Sequence, residues 1–496
     1  MEQAFYVLFP AFFQASEAAH LSGTHQKIPT VKKHFGNRKK RRFDKRKILR
    51  KNGPFALCLR NNQKDGAMKG KNLLVSMLYL NERDINSVFP VLFYLEKLYS
   101  YKTVIRNSLD LKEFEKDYTA VLFANINGSS YNFRSAVYAG SVNLPIVYLE
   151  PEGNFVEDRL DEFFWGVNAR KNRFIDKHFL WSEKSRQMVL KKYPELSDYT
   201  DVSGATGLDR YQNFSPSPKE TLLKNFKKVI TYACFGFDKV FLDERFAIPD
   251  QNLVRGDLKK VKNILLETIG ANPEILFILR IHPQQFDFRY IEIGLDWDKI
   301  YPNVLILKNE EELQDLLGAC DLWLSYESTT TLETWCMKKE TVMLIPSPCY
   351  SWRTNLYRGS SVARNSGELK MLIDEYYSHG SIRQFEDKKT ARNTIITDSI
   401  GSADGLNAFR TAKKIDEFLK KTARERNINL GQRLLSSSVH LILKISRKAH
   451  FLKIFRQWRT LQGKVLSIDT EGEAAKQKYF ARMEKSSLVR KSLRKT

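Results

Sequence analysis

The sequence predicts an α/β protein of two Rossmann-like domains facing across a cleft, and three observations predict it. Short apolar runs alternate with stretches of helical spacing, twice over. A segment of turn-forming residues separates the two series. Most of the net charge sits in flanking segments around a nearly neutral body.

The first series opens at Asn72-Leu-Leu-Val-Ser-Met-Leu78, a run of buried-strand type, followed by Val88, Leu92, Leu95 and Leu98 at helical steps. Val104-Ile105 and Ala120-Val-Leu-Phe123 read as strands, Tyr131–Gly140 as a helix, and Pro145-Ile-Val-Tyr-Leu149 as a strand. His178-Phe-Leu-Trp181 starts another unit, with a helix through Tyr193 and a strand near Val202. Strands alternating with helices of this length build parallel β-α-β units. The alternation stops at Asn213-Phe-Ser-Pro-Ser-Pro-Lys219 and restarts at Lys228-Val-Ile-Thr-Tyr-Ala233. A helix carrying Leu258, Val261, Leu265 and Ile269 precedes the strand Ile275–Ile281, and Val304–Leu307, Asp321–Leu324 and Val342–Pro346 follow. The expected organisation is a basic arm over 1–70, a first domain over 71–212, a hinge over 213–227, a second domain over 228–422 and a basic helical tail over 423–496. Ligands in such folds bind at the carboxyl ends of the strands.

The chain is long enough, at 496 residues, for more than one core. Five scattered cysteines without a C-x-x-C pair argue against a disulfide framework or a zinc site. His20, His25 and His34 fall in the basic arm, where no metal site is expected. The opening run Phe5–Phe13 is too short to span a bilayer and lacks a basic n-region. The expected location is therefore cytoplasmic. Residues 31–51 carry twelve Lys/Arg against one Asp, and residues 427–496 carry sixteen against four acids, which accounts for nearly all of the net +24. A nucleic-acid enzyme would spread that charge over a folded face; two charged flanks fit an anionic membrane surface better, the alternative being solvated, partly disordered tails. Over 433–461, Leu434, Leu441, Ile445, Leu452, Phe455 and Trp458 share a helical face flanked by Lys444, Arg447, Lys448, Lys453, Arg456 and Arg459. That pattern predicts a helix on the inner membrane surface, its rival being a core helix packed on the second domain.

Three constellations carry chemistry. Leu279-Arg-Ile-His-Pro283 ends a hydrophobic strand with a guanidinium fork at Arg280 suited to phosphate, an imidazole at His282 and a turn-fixing Pro283. Asp321-Leu-Trp-Leu-Ser-Tyr-Glu-Ser-Thr-Thr-Thr-Leu-Glu333 reads as strand, polar turn and helix, placing Ser328, Thr329 and Thr330 at a helix start suited to an anion. Glu333 would meet a ribose hydroxyl or close a capping box with Thr330. In the first series, Glu150-Pro-Glu-Gly-Asn154 puts two carboxylates at a strand end, with Glu152 preferred over Glu150 either as the base for an acceptor hydroxyl or as the carboxylate that stabilises or traps an oxocarbenium centre.

The order of these motifs resembles the surface-carbohydrate-biosynthesis transferases of GT-B type and, more distantly, the sialyl- and Kdo-transferases of that fold. The matched elements are Glu150-Pro-Glu-Gly153, Arg280-Ile-His-Pro283 and Ser328–Glu333, with echoes in Asn81-Glu-Arg-Asp84, Val202-Ser-Gly-Ala-Thr-Gly-Leu-Asp209 and Asp404-Gly405 before a helix through Leu419. The resemblance spans roughly residues 72–420. Pro151 departs from the family's paired acids and leaves both glutamates as candidates. The resemblance implies a bacterial glycosyltransferase of capsule or lipopolysaccharide synthesis. In such an enzyme the His-Pro and Ser/Thr elements hold the donor phosphate, and the acidic turn serves chemistry on a lipid-linked acceptor. It implies no cofactor beyond the nucleotide-sugar substrate. Nucleotide-sugar 2-epimerases and polyol-phosphate polymerases have similar second-domain elements, and a non-catalytic scaffold is a third reading.

Overall fold

The computed structural model describes residues 71–78, 80–124, 126, 130–153, 160, 175–216, 226–236, 251–281, 289–307, 312–347, 353–422, 428–448 and 468–494. The expected arm, part of the expected hinge, His282, Pro283 and residues 449–467 lie outside them.

The described strands form two parallel six-stranded sheets, both within one compact unit, Gly66–Thr496. The first holds β1 (Asn72–Met77), β2 (Lys102–Asn107), β3 (Ala120–Phe123), β4 (Ile146–Leu149), β5 (Lys177–Leu180) and β6 (Thr200–Val202) in the order β2-β1-β3-β4-β5-β6. The second holds β7 (Lys228–Ala233), β8 (Ile275–Arg280), β9 (Val304–Leu307), β10 (Leu322–Ser325), β11 (Glu340–Leu344) and β12 (Ser361–Ala363) in the order β12-β11-β10-β7-β8-β9. Strands such as Ala120–Phe123 and Ile146–Leu149 are buried throughout, because helices cover both faces of a parallel sheet. The strand order reverses between β1 and β3 in the first sheet and between β7 and β10 in the second. Both sheets are doubly wound, as the alternation of apolar runs predicts, and the two-domain Rossmann-like fold is the GT-B arrangement.

Helix α1 (Glu82–Tyr99) follows β1 and is capped by Asn81, whose side chain accepts from the Asp84 N–H. Helix α2 (Gln251–Ala271) buries Leu258, Val261, Leu265 and Ile269 against the second sheet, on the face expected. Helix α3 (Thr330–Cys336) follows β10. Helix α4 (Asn407–Lys421) then leaves the second sheet and places Ala408, Ala412, Ile415 and Leu419 in the core of the first.

Two residues fix that crossing. Gly204 adopts φ +79°, and a Cβ there would collide with the Asn407 side chain. Asp209 accepts hydrogen bonds from Asn407 Nδ2 at 2.9 Å and from the Ala408 N–H at 2.7 Å. Asp404 pairs with Arg410 through both carboxylate oxygens, at 2.7 and 2.9 Å. The glycine-and-aspartate stretch before the hinge and the Asp-Gly near residue 404 are thus the two sides of one crossover.

The tail is more structured than its charge suggests. Helix α5 (Leu430–Lys448) packs on the first domain. Gln432 Nε2 donates to Ser141 O at 2.9 Å, and His440 Nδ1 lies 2.9 Å from Asp110 Oδ2. This corrects the rival expectation, which put a core helix on the second domain. Helices α6 (Ile468–Lys485) and α7 (Ser487–Arg494) complete the first core through Tyr479, Phe480, Met483 and Val489. Phe93 meets Phe480 edge to face at 5.3 Å, an aromatic anchor that overrides the basic composition around it.

Candidate functional site

At the carboxyl end of β4 the acidic turn is clamped from beneath. Glu150 is 4% exposed; its Oε2 lies 3.0 Å from His178 Nε2 and its Oε1 accepts from the Tyr148 hydroxyl at 3.3 Å. Burial raises its pKa, against the lowering effect of His178. Trp181 Nε1 donates to the Glu150 carbonyl at 2.7 Å, Ser185 Oγ donates to the Gly153 carbonyl at 2.9 Å, and the Trp181 ring lies where a Gly153 Cβ would sit. From the sequence, Glu152 is the preferred acid of this turn and Glu150 the alternative. The structure separates the two: Glu150 faces inward to His178, and Glu152 is half-buried, its side chain 44% exposed and paired with Arg83. Arg83 belongs to Asn81-Glu-Arg-Asp84, so that stretch is a capped helix start whose arginine meets the acidic turn.

In the second sheet the switch point lies between β7 and β10, with β8 beside β7. Arg280 closes β8, half-buried, and among the described residues no carboxylate lies within ion-pair distance of it. Its charge is nonetheless felt by Glu333, whose carboxyl is pushed up to about 7 by burial first, against the lowering influence of Arg280 and Arg210. Glu333 Oε2 is buried without a hydrogen-bond partner among the described residues. The capping box with Thr330 does not form. Thr330 is the first residue of α3, and its hydroxyl accepts from Trp323 Nε1 at 3.1 Å and meets Ser328 Oγ at 2.8 Å. Thr331 is buried against Ser325. Two of the four consecutive hydroxyl residues therefore have internal packing roles, leaving Ser328 partly exposed and Thr329 exposed. His282 and Pro283 fall outside the described residues.

Four further residues shape this edge and were not singled out from the sequence. Arg353, with no exposed side-chain surface, donates from Nη1 to the Tyr326 carbonyl at 2.8 Å and to Glu327 Oε2 at 3.1 Å. This pair fastens the turn that carries Ser328. Glu292, fully buried, accepts at Oε1 from the Phe235 and Gly236 N–H groups at 2.5 and 2.7 Å, closing the turn after β7. Arg210 is buried where the two sheets' carboxyl ends meet. It bonds Glu82 of α1 and lies 3.5 Å from Glu312, which follows β9. Arg353 and Arg210 carry no local signature, because what marks them is burial beside a carboxylate distant in sequence. Among the described residues no group of three or more His, Cys, Asp or Glu is placed to hold a metal ion.

No protein-family model matches this chain, and no curated protein does. Solved structures are similar to it at low identity. UDP-GlcNAc 2-epimerase from Neisseria meningitidis, bound to UDP-GlcNAc, is 15% identical over 70% of this chain and 99% of its own, with a TM-score of 0.46. The wall teichoic acid polymerase TagF is 13% identical over 71% and 90%, at 0.45. HepE from Anabaena in complex with UDP is 13% identical over 71% and 100%, at 0.41. None of these three reaches 0.5, and the fold rests on the strand order.

Proposed function

We propose that the chain is a glycosyltransferase of bacterial surface-polysaccharide synthesis, capsule or lipopolysaccharide. In this reading the second sheet holds a nucleotide-activated sugar, and the first presents a lipid-linked acceptor at the cytoplasmic face of a membrane. The observation that carries it is Arg280, a guanidinium at a strand's carboxyl end beside the topological switch point, with no ion-pair partner among the described residues. A planar fork in that position suits the oxygens of a leaving phosphate, with His282 and the Ser328–Thr330 turn as its proposed companions. Glu333, one turn into α3, takes the ribose hydroxyl. Glu152 accepts the proton of the acceptor hydroxyl as it attacks, with Arg83 holding its orientation. No metal or cofactor enters this scheme.

Thermal stabilisation by UDP, CMP, GDP or CDP tests the donor half, since a ligand that binds the folded state raises the midpoint by mass action. Arg280→Ala should weaken nucleotide binding tenfold to a hundredfold, corresponding to about 1.5–3 kcal/mol for a charged hydrogen bond. Unchanged affinity in both Arg280→Ala and His282→Ala removes the proposed site. Incubation with nucleotide sugars but no acceptor separates the chemistries, because a 2-epimerase converts its substrate alone and a transferase requires the acceptor.

A further inference from the structure

Helix α5 has two faces with different neighbours. Ser436 and Val439 are buried, Gln432 bonds Ser141, and His440 meets Asp110, three residues past the end of β2. On the opposite side Leu430, Leu434 and Leu441 are 74%, 59% and 58% exposed. Their offsets of four and eleven residues fall within a narrow arc of a 3.6-residue helix, so they form one stripe. They are three of the six large hydrophobic side chains that stand exposed among the described residues. A docked helix that turns leucines to water has an unfilled partner on that side.

We infer that the Leu430–Leu434–Leu441 stripe of α5 seats the first domain on an anionic lipid surface. This deepens the proposed function by naming the membrane contact, and it rests on that reading only for placing a lipid-linked acceptor nearby. The charge decides the occupant. Helix α5 contains Arg433, Lys444, Arg447 and Lys448 and no Asp or Glu, and the chain carries no further acid until Asp469. An apolar stripe on a helix whose sequence is basic and free of acids matches the boundary between acyl chains and anionic headgroups. A second copy on the same stripe would bring two acid-free basic helices together, because a two-fold contact pairs a surface with itself. A nucleic acid would use the cations and leave the leucines exposed. Among the described residues no helix is long and apolar enough to cross a membrane, so α5 lies along the surface. Its His440 end meets Asp110 just past the carboxyl end of β2, and its Gln432 end meets Ser141 ahead of β4, so the helix runs along the flank of the first sheet from one end toward the ligand-binding one.

The experiment is vesicle sedimentation of the full chain with 30% phosphatidylglycerol in phosphatidylcholine, and with phosphatidylcholine alone. The comparison variant is Leu434→Glu/Leu441→Glu, whose two sites are exposed and should leave the melting midpoint unchanged. The expected result is binding to the anionic vesicles that weakens at least tenfold in the variant and falls with salt, with nucleotide stabilisation the same in both proteins. Equal vesicle binding by parent and variant, or none by the parent, overturns the inference. So does a dimeric parent that becomes monomeric in the variant, or tight RNA binding that excludes vesicles. Because sedimentation does not read turnover, a protein that binds vesicles through the stripe yet transfers no sugar would retain this inference and lose the proposed function.

Discussion

Glu150 and Glu152 stand two residues apart in different surroundings, and the difference assigns them different work. Glu150 is buried with His178 and Tyr148, and its backbone carbonyl is tied to Trp181, so its carboxylate holds the turn from within. Glu152 carries its charge at the surface beside Arg83. Glu152→Gln should lower turnover by a factor of roughly a hundred to ten thousand, as loss of a general base does, with nucleotide affinity and melting midpoint intact. Glu150→Gln should instead lower stability by about 1–3 kcal/mol by disturbing its buried hydrogen bonds to His178 and Tyr148. Initial rates and thermal denaturation of the two variants read these effects separately. A Glu150→Gln protein of parental stability with no turnover reverses the roles. The acidic turn was legible in the sequence as a strand end followed by carboxylates. Which acid turned inward depended on His178, which belongs to the neighbouring strand.

At the scale of elements, the least expected arrangement is the edge of the first sheet. Strand β2 is that edge, and its outward N–H groups recur at every second residue. The Thr103 N–H meets Glu96 Oε1 at 3.2 Å, the Ile105 N–H meets Glu473 Oε1 at 2.9 Å, and the Asn107 N–H meets Asp469 Oδ1 at 2.9 Å. Two strand residues span about 6.6 Å and four helix residues about 6 Å, so an i, i+4 pair of acids on α6 matches alternate amides. Three carboxylates thereby serve an edge that would otherwise be a template for another strand. Asp469→Ala/Glu473→Ala should cost about 3 kcal/mol or more, from two charged hydrogen bonds, and should add concentration-dependent aggregation. Urea denaturation and light scattering check the two parts, and a variant with parental stability and no self-association would show that the aromatic anchors alone hold α6. In the sequence the tail's sixteen basic residues dominate its few acids, although Asp469 and Glu473 lie at helical spacing.

For the whole molecule, the buried carboxyls set a pH dependence. Burial raises Asp209, Glu292 and Glu333 each to about 7, far above the ordinary range for such groups. An acid whose folded pKa is raised binds more protons in the folded chain, so its stabilisation is complete below about pH 4 and is lost as pH climbs through 7. Glu292→Gln keeps an amide oxygen for the Phe235 and Gly236 N–H groups while removing the ionisation. The variant should therefore gain stability relative to the parent as pH rises from 5 to 8, by up to about 3 kcal/mol. Thermal midpoints measured at both pH values give the difference, and a gap that does not widen with pH shows that Glu292 stays neutral or ionises without penalty.

The sequence alone determined the two doubly wound sheets, because each parallel strand is buried on both faces and must be written as a short apolar run. It likewise marked the carboxyl-end motifs around Glu150, Arg280 and Ser328, since a strand end is local in sequence. Tertiary structure alone decided what the tail does and how the candidate site is held. Helix α4 crosses to the first core through Gly204, Asp209 and Asn407, and α6 covers the edge of β2. Arg353 clasps Glu327, and Arg210 joins the carboxyl ends of the two sheets. Each of these contacts joins residues far apart in the chain, and periodicity and composition describe only neighbours along it. A charged residue reads as solvated until the fold supplies its partner, and that partner is what makes its burial tolerable.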